Sequence, residues 1–153
     1  IFRGGLKYRI ALDVETLGQP ALVSANKLRI EQVLLNLLMN AQHAIRACGD
    51  DAEEMGRVRL SMQIASGLSI EGLDKEGEYL CVSVIDNGVG MTEEVKEQIF
   101  TRYFTTRKEA GGTGLGLAVS KSIIDSYGGG IEVESAPQKG ARFDVYLPFY
   151  RTS

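Results

Sequence analysis

"AGGTGLGLAVSKSI", residues 110–123, places four glycines in its first seven positions and then runs on as an apolar, helix-like stretch. A glycine-rich turn that opens a helix suits an anion, because the first helical turn presents unpaired amide N–H groups and the positive end of the helix dipole. Which anion depends on the type of loop. Gly111 and Gly116 have the spacing of a Walker A loop, but Leu117 stands where that loop needs the lysine that reaches the terminal phosphates. A dinucleotide fingerprint requires G-x-G-x-x-G directly after a strand, whereas Gly112, Gly114 and Gly116 alternate and follow the charged run "TTRKEA". Both readings fail. A flexible glycine hinge and a phosphate-binding loop of another type remain, and the choice lies in the rest of the chain.

The longest helical pattern follows Asn26, a suitable N-cap, and ends near Gly49. Ile30, Val33, Leu34, Leu37, Leu38, Ala41, Ala44 and Ile45 fall on one broad face at about 100° per residue. Asn36 and Asn40 share a stripe, and with Gln32 and His43 they fill a polar sector of about 80° beside that face. An asparagine inside a helix costs roughly 0.5 kcal/mol against alanine, so two in "LLNLLMNA" need compensation. Either the amides bond to neighbouring loops as satisfied core groups, or their carbonyl oxygens help hold a hard cation such as Mg²⁺. His43 is either structural or a donor to a phosphate.

"VSVIDNGVGM" ends a strand on Asp86 and continues with Gly88 and Gly90. Asp-Asn-Gly is a hairpin signature, but a capped helix follows instead of a returning strand, which disfavours a plain hairpin. An ionised carboxylate at a strand end accepts only, so Asp86 can take the exocyclic N–H of an adenine while the glycines let the ring approach the backbone.

Residues 6–14 and 20–24 read as strands, 57–65 and 78–86 as a loosely connected strand pair, and 131–136 with 141–149 as a closing pair. Thr92 with Glu93 and Glu94 starts a helix over 93–100, and "LGLAVSKSIIDSY" is a further helix stopped by Gly128, Gly129 and Gly130. The order predicts one sheet with helices on one face. The 153 residues suit one domain, and 44% hydrophobic with 24% charged residues indicate an ordinary globular protein. A net charge of −3 without a basic stripe gives a nucleic-acid surface no support. Cys48 and Cys81 lack metal-type spacing and are expected to be two buried thiols in a reducing compartment, the cytoplasm. No apolar run reaches the roughly 20 residues of a spanning helix, and the first residue, Ile1, suggests a piece of a longer chain, whose parent could be membrane-anchored.

Taken in order, these elements resemble the GHKL nucleotide-binding superfamily, most closely the catalytic ATP-binding domain of bacterial sensor histidine kinases. "EQVLLNLLMNAQHAI" is similar to their N box, "DNGVGM" to the first glycine box, "IFTRYFTTR" to the F box, "GGTGLGLAVSKSI" to the second glycine box and "KGARFDVYLP" to the closing strand segment. The resemblance spans about residues 6–148. It implies an α/β fold, a two-layer α/β sandwich of the Bergerat type, with a mixed sheet covered on one face by about three helices. Residues 1–153 then form a single ATP-binding catalytic domain. It also implies ATP and Mg²⁺ as cofactors, with Asn40 and Asn36 serving the metal and Asp86, Gly88 and Gly90 the adenine. Thr106, Gly112, Thr113, Gly114, Leu115 and Gly116 surround the phosphates, and the answer to the opening question becomes the polyphosphate of ATP, held by amides. Arg107, or Lys108, in a short charged lid between Phe104 and Gly112 reaches the terminal phosphate, and Asn36, His43 and Arg107 are the candidate catalytic groups. Phe100, Tyr103 and Phe104 are a packing hinge.

Two departures bear on activity. In related gyrase and mismatch-repair ATPases a Glu one turn before the Mg²⁺ asparagine activates water; here that position is Asn36, and Glu31 lies about 140° away on the wheel. That favours transfer to a protein acceptor over hydrolysis. Ala141 stands where the kinase pattern usually has Thr, which touches a minor loop contact. The single histidine, His43, lies in the nucleotide helix, so the acceptor histidine belongs to a helix of the separate dimerisation domain, with a response regulator downstream. A hydrolytic ATPase or ATP-driven clamp, an anti-sigma-type serine kinase and a non-catalytic nucleotide sensor are the alternatives.

Overall fold

Alternating apolar residues on four strands form rows that cross a sheet, and those rows decide where the helices lie. The computed structural model describes residues 10–49, 54–66, 70–101 and 116–150. Strands β1 (Ile10–Glu15), β2 (Gly56–Ser66), β3 (Glu78–Asp86), β4 (Gly130–Ser135) and β5 (Ala141–Pro148) make one sheet in the order β1-β2-β3-β5-β4. β1 runs parallel to β2 and the other neighbours are antiparallel, so the sheet is mixed. Leu60, Val84, Phe143 and Val133 align in one row, and Met62, Val82, Val145 and Ile131 in the next. These rows face the helices.

Helix α1 (Lys27–Arg46) covers them through Val33, Leu37 and Ala41, all buried. Their seating between α1 and the sheet stabilises the fold by roughly 1.5–3 kcal/mol for each large side chain. The helix starts where Asn26 Oδ1 accepts the Arg29 amide, and Gly49 follows its end at φ +86°. α2 (Glu93–Gln98) is a short turn capped by Thr92, whose Oγ1 accepts the Val95 amide at 3.3 Å, and Ile99 buries just after it. α3 (Gly116–Ser126) buries Ser120, Ile123 and Ile124, and stops at Gly128, which takes φ +76°. The result is the expected mixed α/β arrangement, with three helices on one face among the described residues.

The opposite face carries a small cluster of Tyr79, Cys81 and Tyr146, roofed by Ile70 and Leu73 from the β2–β3 connection. Beside it Arg142 Nε pairs with Asp144 at 3.0 Å, and Arg59 with Glu15. Two expectations need correction. Residues 20–24 do not form a full strand: Leu22 makes a lone bridge to Tyr150, since the chain turns into α1 before a ladder can extend. Cys48 is exposed, because it lies beyond the last turn of α1; only Cys81 is buried. The first four residues of the strand expected at 6–14 lie outside the described residues. No helix among the described residues is long and apolar enough to cross a membrane.

Candidate functional site

Asn36, Asn40 and Ala44 follow one another at four-residue spacing along α1, so they mark successive turns of one stripe. Each end of that stripe meets a different element. At Ala44 it meets the turn after β3. The Val89 amide donates to the Ala44 carbonyl at 3.1 Å, and a Cβ on Gly88 would lie 2.6 Å from the Ala44 Cβ and carbonyl carbon. Only glycine fits there. Gly90 sits at φ +71°, where a Cβ would fall 2.0 Å from the Ala136 carbonyl oxygen in the β4–β5 turn. Gly140 in that same turn has φ +71° and approaches the Asp86 carbonyl as closely.

Asp86 is thereby fixed at the end of β3, buried to 7% exposure. Its Oδ1 accepts the Gly88 amide at 2.8 Å. Burial pushes its carboxyl above the ordinary value of 3.8, while bonds from the Gly88 and Ala141 amides draw it back. A carboxylate held in this way can accept a donor from a ligand. Asn87, which the sequence reading gave no role, ties the turn to β2: its Oδ1 accepts the Arg57 amide at 2.7 Å and its Nδ2 donates to the Met55 carbonyl at 3.0 Å.

At the other end of the stripe, Asn36 meets α3. Its Nδ2 donates to the Gly116 carbonyl and to Ser120 Oγ, each at 3.2 Å. The amide nitrogen is thus engaged by α3, and Oδ1 is the atom left to serve a cation. Asn40 and His43 are partly buried on the same side of α1, between these two ends. Along α1 the structure thus sets Asn36 against Gly116 and Ala44 against the turn that holds Asp86, Gly88 and Gly90, with Asn40 and His43 on the helix between. Thr106, Arg107, Gly112, Thr113, Gly114 and Leu115 lie outside the described residues, as do Tyr103, Phe104 and Lys108; Phe100 packs against the core. Ser120 was missed by the sequence reading. Its signal was its place on the apolar side of α3, with Ile123 and Ile124.

An open groove of about 490 Å³ is lined by residues 16–21, Met62 and Leu80. Leu80 is six residues along β3 from Asp86, about 20 Å away, so the groove is separate from the site.

Residues 25–151 match the family model for the histidine kinase-, DNA gyrase B- and HSP90-like ATPases. The chain belongs to this family. It is 43% identical over 150 residues to the sensor histidine kinase ZraS of Klebsiella oxytoca, an alignment covering 90% of this chain and 26% of that protein. The chain thus spans about a quarter of the length of this curated relative. Among solved structures it is similar to the nucleotide-free catalytic domain of the histidine kinase ThkA, with a TM-score of 0.68, 32% identity, and coverage of 96% of this chain and 86% of that one. It is also similar to full-length ShkA in complex with AMPPNP, with a TM-score of 0.71, 25% identity, and coverage of 99% of this chain and 28% of that one. Within the family, this chain is the histidine-kinase type of ATPase domain, and its fold is that of histidine-kinase catalytic domains.

Proposed function

We propose that this chain binds Mg-ATP between the Asn36–Asn40 stripe and the Asp86 turn, and passes the γ-phosphoryl group to a histidine on a helix of the parent's dimerisation domain. One observation carries the proposal: α1 is a continuous bar whose asparagine stripe begins at the first residue of α3 and ends on the Asp86–Gly90 turn. A nucleotide lying along that bar has its purine at Asp86 and its phosphates at the glycine run before α3. Asp86 accepts the exocyclic amine of adenine, and the amides from Gly112 to Gly116 wrap the phosphate chain. The likeness to full-length ShkA, whose structure is a complex with AMPPNP, supports a nucleotide ligand.

Asn36 and Asn40 fit a Mg²⁺ ion, which takes a few hard protein oxygens and fills its remaining positions with phosphate and water. Bound there, the metal would neutralise charge on the triphosphate. The chain's own residues do the positioning. His43 donates to a phosphate, Thr106 and Thr113 add hydroxyl contacts, and Arg107 supplies a counter-charge at the terminal phosphate. Asn36 offers no carboxylate to activate water, so an attacking imidazole aligned with the γ-phosphorus is the productive nucleophile. A response regulator then receives the phosphoryl group. ATP use sets the reaction in the cytoplasm, whether or not the parent chain is anchored in a membrane, and the chain as a whole is the catalytic domain of that parent.

The test mixes the chain with γ-labelled ATP and candidate acceptor helices. The expected result is an acid-labile, alkali-stable label on the acceptor and slow turnover without it. Fast steady hydrolysis in the absence of any acceptor would establish an ATPase instead, and binding without labelling of any acceptor a nucleotide sensor.

A further inference from the structure

Ser120 lies one turn into α3 and is 0% exposed, a position where a hydroxyl is tolerated only when its bonding is complete. It is complete. Ser120 Oγ donates to the Gly116 carbonyl at 2.8 Å and accepts from Asn36 Nδ2 at 3.2 Å. Nδ2 also donates to the same Gly116 carbonyl, at 3.2 Å. Three groups from two helices close a ring that includes Gly116, the last glycine of the run and the first residue of α3.

The ring has a direction. The Gly116 carbonyl is an acceptor, and Ser120 Oγ has spent its proton on it, so both atoms facing Asn36 ask for donors. Turning the Asn36 amide over would set its Oδ1 against two oxygens. We propose that Ser120 is a positioning residue for Asn36, holding the amide so that Oδ1 faces the metal-bound triphosphate. It touches neither nucleotide nor metal and acts only through Asn36. The assignment rests on the Mg-ATP reading above. It extends that reading by explaining why a serine sits on the apolar side of α3, and why position 36 requires a donor: a carboxylate there would meet the same two oxygens.

The experiment compares wild type, Ser120→Ala and Ser120→Thr in this chain. AMPPNP affinity is measured with Mg²⁺ and in EDTA, alongside the side-chain amide resonances of Asn36 in the nucleotide-free protein. Ser120→Ala should reduce the gain in affinity that Mg²⁺ gives by about five- to tenfold, leave the affinity in EDTA within about twofold, and shift the Asn36 amide protons toward solvent-like values. Ser120→Thr, which keeps the hydroxyl, should restore all three. Equal weakening with and without Mg²⁺, unchanged Asn36 resonances in Ser120→Ala, or no rescue by Thr would overturn the assignment and leave Ser120 a packing residue. A wild-type chain that binds AMPPNP in neither condition overturns the Mg-ATP reading itself, and the positioning role with it. Wild-type binding with an unresponsive Ser120→Ala overturns the positioning role alone.

Discussion

The two ends of the asparagine stripe are held by different means. At the Asp86 end backbone meets backbone: Gly88 against Ala44, Gly90 against Ala136, Gly140 against Asp86, with no room for a methyl group at any of the three. At the α3 end the contact is a ring of hydrogen bonds through two side chains, Asn36 and Ser120. Close-packed backbone has no nearby alternative arrangement, whereas a side-chain ring opens by rotamer changes. The Asp86 end, where we propose the purine binds, is therefore built before a ligand arrives, and the α3 end is the adjustable one.

The contrast is broken most severely at Gly140. Gly140→Ala puts a Cβ 2.0 Å from the Asp86 carbonyl oxygen at a positive φ, so stability should fall by about 3 kcal/mol, seen as a large drop in melting temperature together with loss of nucleotide binding. Asp86→Asn should separate function from stability. ATP affinity drops about 10- to 100-fold by calorimetry, because adenine loses its ionised acceptor, while the ligand-free protein melts no lower than wild type at pH 7, having lost a buried charge.

The same carboxyl sets a pH dependence. Its folded pKa lies above the unfolded value, so its contribution to stability is full below about 3.8 and is lost as pH rises through the raised value. The melting temperature of wild type minus that of Asp86→Asn should accordingly fall with rising pH across that window. At the other end, Asn36→Asp replaces the donating amide with an acceptor facing the Gly116 carbonyl and should cost about 1–2 kcal/mol, read by urea unfolding. Thr92→Ala, at the start of α2 two residues beyond Gly90, should cost about 1 kcal/mol through its lost cap and leave AMPPNP affinity within about twofold of wild type.

The frame of this contrast could be read from the chain because its signals are local. Asn26 and the one-sided apolar period of α1 announce that helix, and the alternation along β2 and β3 announces their pairing. What eluded the reading is non-local. Gly88 and Gly90 were read as room for a ligand ring, yet their missing side chains also make room for Ala44 and Ala136, which are distant in sequence. Residues 20–24 carry strand-like side chains, but a ladder needs a partner strand alongside, and only Tyr150 supplies a bridge. Ser120 drew no reading because its meaning depends on Asn36, 84 positions earlier.

The central claim is that one ligand spans both ends of the stripe, and the most direct measurement is a nuclear magnetic resonance titration of the chain with Mg-AMPPNP. The largest shifts should fall together on the side-chain amides of Asn36 and Asn40 and on the backbone amides of residues 88–90, following one saturation curve. Shifts confined to the groove at residues 16–21, or separate curves for the two ends, would contradict it.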